Sequence, residues 1–391
     1  MRIGVDACCW ANGRGYGRFT RELVASMVAQ APEEEFLFFV DDRALARLDV
    51  SAANAKVVHV RLRESPTEAA SADGSRRVSD MLKLTRAVAR ERPDVFFSPS
   101  VYTYFPLPLR QKAVVAIHDV IAEQFPHLTL PTLRARLFWR MKVGLALRQA
   151  SIILTVSDYS ARGVHDFLKV PESRIRVAGE APSVAYRRSE PEDIARTSLA
   201  IGLPPGARWF VYVGGFNPHK RVTSLIRAHA RVIQEEGEKA PYLLLVGDLA
   251  GDNFYRNTAH VRQVIDELGT GHRTLWTGFL PDETLRDVHS GALALVLPSE
   301  AEGFGLPAVE AAACGTPVIA TTESPLPILL QGGGIFVAPD DQQTLDGALR
   351  LLSRDEPLRL EMGRRALARA RALTWDNGAI SALEAIREAA A

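Results

Sequence analysis

Cysteine is scarce in this chain, with three in 391 residues, and two of them, Cys8 and Cys9, are adjacent. That count excludes a disulfide framework of the secreted type and favours a reducing compartment. No Cys or His cluster has the spacing of a tetrahedral metal site, so no metal is expected. Nor is there an apolar run of the roughly 18–20 residues that a membrane-spanning helix needs. Excess charge is missing too: 47 basic residues face 46 acidic ones, a net charge of +1, which gives no global attraction to nucleic acid or to an anionic membrane. Met1-Arg2 leads directly into a strand pattern, without the basic leader, apolar segment and cleavage site of a secretory signal. These absences predict a cytoplasmic protein with no nucleic-acid partner, and leave only a weak peripheral contact with the inner face of a membrane open.

At 47% apolar and 24% charged residues the composition is that of an ordinary globular protein, and 391 residues are too many for one compact core. Short β-rich runs recur at 3–6, 36–40, 57–60, 95–97, 114–117 and 152–156, each followed by a helix-patterned segment. A second series occupies 209–213, 242–246, 275–276, 293–297, 318–320 and 335–337. This alternation predicts an α/β protein of two doubly wound, parallel-sheet units. The polar, proline-bearing stretch 182–206 reads as a linker, which sets the domains at 1–190 and 191–374. Ligand sites of such sheets lie past the carboxyl ends of the strands, and two such units joined by a linker form a cleft there.

The stretch Ser299 to Glu310 follows the apolar run ending at Leu297 and reads as strand, glycine-punctuated loop and helix start. Gly303 and Gly305 permit backbone conformations closed to other residues, and Pro307 suits the first helical position. Backbone N–H groups of Gly303, Phe304, Gly305 and Leu306 can thus meet a phosphate or sugar hydroxyls at the positive end of a helix, with Glu302 and Glu310 on either side.

This acidic pair, with seven residues between its members, resembles the nucleotide-binding signature of retaining glycosyltransferases of the GT4 type. Val211-Tyr212-Val213-Gly214-Gly215 with Lys220, then Thr277-Gly278-Phe279, then Cys314-Gly315-Thr316-Pro317-Val318 follow in the family's order. Resemblance in the first half is more diffuse, through residues 2–6, the Gly13-to-Gly17 loop, His118-Asp119 and Val156-Ser157. The family implies the GT-B fold: two Rossmann-like domains facing each other across a cleft, the first for the acceptor and the second for the nucleotide sugar. It also implies a last helix, about 375–391, that returns to the first domain.

The resemblance assigns roles residue by residue. Glu310 holds the donor ribose, whose two neighbouring hydroxyls suit a bidentate carboxylate. Glu302 lies by the donor sugar, where negative charge favours an oxocarbenium-like transition state; Glu300 is near enough to be confused with it. Lys220 neutralises the leaving diphosphate. The family's arginine shortly before that lysine is missing from Gly214-Gly215-Phe216, so Arg221, or Arg14 or Arg18, is expected to compensate. Gly15, Gly17 and Gly215 approach the donor phosphates, and Gly278, Phe279 and Leu280 the base. His118 binds a hydroxyl of donor sugar or acceptor, while Asp119 either orients His118 or caps the next turn. The loop Gly13-Arg14-Gly15-Tyr16-Gly17 lacks the spacing of a dinucleotide fingerprint, which disfavours a nicotinamide cofactor.

The expected activity is metal-independent, cofactor-free transfer, with retention, from a nucleoside diphosphate sugar to an acceptor hydroxyl of a glycan or glycolipid. The nearest resemblance is to bacterial polysaccharide mannosyl- and rhamnosyltransferases. Two alternatives are a glycoside hydrolase using Glu302 and Glu310 as its acid and nucleophile, and a non-catalytic nucleotide-sugar-binding protein. The stretch 124–157 has several cations and no carboxylate, but its cations do not share one helical face, so a partly buried helix with solvated ends is expected over a membrane contact.

Overall fold

The computed structural model describes residues 1–13, 15–67, 77–247 and 257–391. The chain divides into two units, residues 1–180 with 374–391, and residues 181–373. In the first, β1 (Arg2–Asp6) is followed by α1 (Gly15–Gln30), β2 (Glu35–Val40), α2 (Asp42–Leu45), β3 (Ala55–His59), α3 (Val78–Glu91), β4 (Val95–Ser98) and β5 (Ala113–Ala116). Two single-turn helices, α4 (Ile121–Gln124) and α5 (Pro126–Thr129), lead to α6 (Leu133–Gln149). Then come β6 (Ile152–Thr155), α7 (Asp158–Leu168) and β7 (Ile175–Val177). The second unit runs α8 (Pro191–Ala200), β8 (Trp209–Val213), α9 (Val222–Glu236), β9 (Tyr242–Val246), α10 (Thr258–Glu267), β10 (Thr274–Gly278), α11 (Asp282–Gly291) and β11 (Ala294–Leu297). It ends with α12 (Leu306–Ala313), β12 (Val318–Thr321), α13 (Leu326–Leu329), β13 (Gly334–Val337), α14 (Gln342–Arg354) and α15 (Glu356–Ala370). The last helix, α16 (Trp375–Ala390), belongs to the first unit.

The sheets have the orders β3-β2-β1-β4-β5-β6-β7 and β10-β9-β8-β11-β12-β13. Both are doubly wound, so the strand order reverses between β1 and β4 in one and between β8 and β11 in the other. Central strands are apolar on both faces because helices cover both: every residue of β4, β5, β6, β11 and β12 is buried. Aromatic rings fill the first core, with Phe96 5.5 Å from Phe39 and 5.7 Å from Phe105.

Three expectations change. β7 was not foreseen: it is three residues long, half-buried and interrupted by Arg176, so it has no apolar run. The stretch read as a linker contains α8, which opens with Pro191 and carries Glu192 and Asp193 in its first turn, an N-terminal signature. Accordingly the units divide at 180/181 and not at 190. Gly15 and Gly17 do not lie in a loop but in the first turn of α1. Arg14 falls outside the described residues.

α16 packs on α1 and on the sheet, and it buries Ala379, Ala382, Leu383 and Ile386. Thr374 caps it, and the Phe19 and Trp375 rings meet at 6.2 Å. Gly378 sets the approach: a Cβ there would lie 2.4 Å from the Gly179 carbonyl oxygen, a backbone atom with no rotamer to yield. Gly378→Ala is therefore expected to destabilise the protein by roughly 1–3 kcal/mol through overpacking, against the usual helix preference for alanine. Gly347→Ala in α14, where nothing lies within 4 Å of the added carbon, should stabilise by about 0.5–1 kcal/mol. Denaturant midpoints of the two variants moving in the same direction would refute the packing argument.

Candidate functional site

In the second unit the loops after β8 and β11 leave the sheet at its point of strand-order reversal, and they meet there. Lys220 Nζ donates to both carboxylate oxygens of Glu302, at 2.8 and 3.0 Å. Ser299 Oγ adds a third hydrogen bond at 2.6 Å to the same carboxylate, and the Glu302 N–H is held by the Glu323 carbonyl at 2.9 Å. Glu302 and Glu300 are distinguished by partner: Glu300 Oε1 accepts from Arg221 at 2.7 Å. Arg221 also reaches Asp340 at 3.2 Å, so this candidate second cation is already committed to two carboxylates. It occupies the left-handed region, φ +51, at the turn between Lys220 and α9.

Of the two loop glycines, Gly305 takes a conformation closed to other residues, whereas Gly303 is not among the positive-φ glycines. Gly305 is the N-cap of α12 at φ +90, and a Cβ on it would lie 2.8 Å from a methyl of Leu326. Leu306 opens the helix and Pro307 is its second residue, one place later than expected. Phe304 and Leu306 are buried, and so is Glu310, a turn into α12 and 4% exposed. Gly215 offers its carbonyl to the Tyr212 hydroxyl. Gly278 ends β10 at φ +71, with its carbonyl accepting from Gly247 N–H at 3.0 Å. Next to it Phe279 leaves its ring 67% exposed, and Leu280 is half-buried. β9 separates β10 from β8, so Gly278 lies about 10 Å along the sheet edge from the end of β8.

His219, between Pro218 and Lys220, is neutral: burial, and secondarily the Lys220 charge, push its pKa down to about 3. His229 and His289 are likewise buried, with pKa values of about 4 and about 3, as core histidines. The cysteine thiols Cys9 and Cys314 are pushed up to about 12 by burial and are not nucleophiles at neutral pH.

In the first unit His118 follows β5. Its Nε2 lies 2.8 Å from the Pro99 carbonyl oxygen, which can only accept, so this nitrogen carries a proton. Its Nδ1 faces Glu180 Oε1 at 3.6 Å, and the Phe19 ring stands edge-on to the imidazole at 4.5 Å. Glu180 lies just past β7 and is 5% exposed. Sequence reasoning missed it because it missed the strand that delivers it; an acid three residues after a β-branched pair was the available signal. Asp119 Oδ1 accepts from Ile121 N–H at 3.0 Å and caps the turn into α4.

Burial disfavours the His118 imidazolium, but hydrogen bonding and attraction to Glu180, with the Pro99 carbonyl, outweigh it and raise the pKa above the ordinary histidine range. Burial likewise raises Glu180, opposed by His118 and Arg18. A histidine pKa raised in the fold contributes stability that is full below the unfolded pKa and is lost as pH rises through the folded one. Glu180→Gln should lower the His118 pKa, read from its ring resonances in an NMR titration. An unchanged titration would remove Glu180 as its partner.

Residues 195–369 match the family described as Glycosyl transferases group 1, and residues 13–179 the one described as Glycosyltransferase Family 4. O-antigen chain mannosyltransferase B of Escherichia coli is 28% identical over 373 residues, 93% of each chain. The sucrose-phosphate synthase of Thermosynechococcus elongatus superposes with a TM-score of 0.74 at 18% identity, covering 99% of this chain and 98% of its own. Anabaena HepE, solved with UDP and glucose, gives 0.72 at 18% identity over 99% of both chains. At that identity the two structures show a shared fold, which is GT-B.

Proposed function

Because the chain belongs to the group 1 glycosyl transferases, with a Family 4 first half, and is thus a glycosyltransferase, we propose that it transfers a sugar with retention and without a metal. The donor is a nucleoside diphosphate sugar and the acceptor a hydroxyl of a glycan or glycolipid in polysaccharide assembly. The similarity to an O-antigen chain mannosyltransferase along nearly the whole chain supports mannose as the sugar. A cytoplasmic location fits three buried cysteines with no disulfide among the described residues.

The observation that carries this reading is the Lys220–Glu302 pair beside the N-terminus of α12. Glycosyl transfer separates charge: the sugar becomes cationic as the diphosphate becomes more anionic. A fixed carboxylate and a fixed ammonium side by side match that separation in advance, without reorganisation during the reaction. The ammonium has three donors and Glu302 takes two, which leaves one for a phosphate oxygen. Helix dipole and loop N–H groups of Gly303 to Leu306 supply the remaining positive potential, the role a divalent cation has elsewhere. Glu310 takes the ribose hydroxyls, Phe279 stacks on the base, and His118 donates to a sugar hydroxyl. The hydrolase alternative falls with the family assignment, and Glu302, bound by Lys220 and Ser299, is poorly disposed to act as a nucleophile.

Thermal stabilisation by GDP, UDP, ADP, CDP and dTDP, each with and without EDTA, tests the donor site. One nucleotide should stabilise the protein equally in both conditions, by about 2.7 kcal/mol at a hundredfold excess over Kd, and lose that effect in Glu310→Ala. Stabilisation abolished by EDTA would overturn metal independence. Lys220→Ala should lower kcat by roughly 10²–10³-fold with a smaller change in nucleotide affinity. Full turnover in that variant would assign the diphosphate to another cation.

A further inference from the structure

α6 is apolar on two faces, and the fold buries only one. Ala135, Trp139, Val143 and Ala146 turn inward. On the opposite side Leu133, Leu137, Met141 and Leu145, at four-residue spacing, form a stripe, with Phe138 beside it; Leu133 is 82% exposed and Met141 61%. Single exposed leucines need no explanation, but five large apolar side chains on one helical face do. Arg134, Arg140 and Arg148 are exposed along the same helix, and none pairs with a carboxylate among the described residues. The other two cations are spent on the fold, Arg136 on the Leu130 carbonyl and Lys142 on that of Tyr102. No acid occurs from Gln124 to Ser157. The flanking Glu123 is turned inward to Trp139 Nε1 at 2.6 Å, and burial raises its pKa to about 7, so it offers little counter-charge.

We propose that this face of α6 lies flat on an anionic lipid surface, its apolar stripe in the headgroup–acyl boundary and its arginines on lipid phosphates. Charge selects the occupant. A second copy seated on the same face would set arginine against arginine with no acid on either helix, whereas an anionic bilayer neutralises them. The stripe gives the apolar contact and the long, exposed arginines reach the headgroups. Seventeen residues give a helix about 25 Å long, ample for several lipid headgroups. The sequence reading expected a partly buried helix with solvated ends; the helix is partly buried, and its exposed face is apolar along its length. The inference rests on this face alone and does not depend on the donor site, although a lipid-linked acceptor would be presented at such a surface.

The test is flotation of the full chain with vesicles of phosphatidylcholine alone or with added phosphatidylglycerol, at low and high salt. Binding is expected only to the anionic vesicles and should fall with salt. Each of Arg134→Gln, Arg140→Gln and Arg148→Gln should weaken it roughly fivefold. Leu137→Gln with Met141→Gln should abolish it at an unchanged melting temperature, because both side chains are exposed. Leu360→Gln, an exposed leucine of α15, should leave it intact. Absence of binding to anionic vesicles, or binding indifferent to the α6 substitutions, would overturn the proposal. So would a dimer in solution that Leu137→Gln with Met141→Gln converts to a monomer, which would show that a second copy covers the face.

Discussion

Every strand pairing in both sheets is parallel, and the placement of the chemistry depends on that constraint. Parallel neighbours are joined by crossover helices, the helices cover both faces, and the strand interiors must then be apolar throughout. Polar groups can emerge only where strands end, and parallel strands all end on one edge. Hence His118 after β5 finds Pro99 after β4 and Glu180 after β7, and Lys220 after β8 finds Glu302 after β11. These residues are far apart in sequence, yet the shared carboxyl edge brings them together: β4 neighbours β5 and β8 neighbours β11, while Glu180 reaches His118 from β7, two strands away from β5.

Both meeting points hold an ion pair with little solvent around it. Such pairs are weak evidence for stability, since desolvating two charges offsets much of their attraction, whereas deleting one partner strands the other at a cost of about 3–5 kcal/mol. Lys220 and Glu302 are 21% and 10% exposed, His118 and Glu180 13% and 5%. What such a pair provides is a fixed field. Burial alone would favour neutral His118, and the Glu180 carboxylate opposes that and raises its pKa. Glu302 orients Lys220 through two hydrogen bonds.

Long apolar strands and motifs made of special residues were legible in the sequence. β8 and β9 coincide with the runs expected at 209–213 and 242–246, because five apolar residues in succession have no other home in such a fold. Gly305 was legible because its φ excludes a side chain. β7 was not, since an edge strand buries too little to need an apolar run, and Glu180 went with it. α8 was hidden because its proline and acids read as loop composition until the packing against α11 is seen. Pairing was least legible of all. Nothing local in Glu300-Ala301-Glu302 says which acid takes the lysine and which the arginine, and nothing in α6 says which of two apolar faces the core will use.

Phe216 shows how such pairing bears on the site. It occupies the stretch where the family resemblance implies an arginine, and it is buried against Trp276 at 4.9 Å and Tyr212 at 5.8 Å. The position has therefore been given to the core and has no charge to offer. Arg221, the nearest substitute in sequence, lies in a left-handed turn with its guanidinium on Glu300 and Asp340. Moving it to a phosphate would leave Glu300, itself only 18% exposed, without its partner. On the proposed reading the second unit thus offers the diphosphate the Lys220 ammonium and backbone N–H groups at the start of α12. Backbone donors are fixed by the fold and need no side-chain ordering, so a site built this way can lose an arginine and still hold its anion, provided the glycine loop keeps its shape.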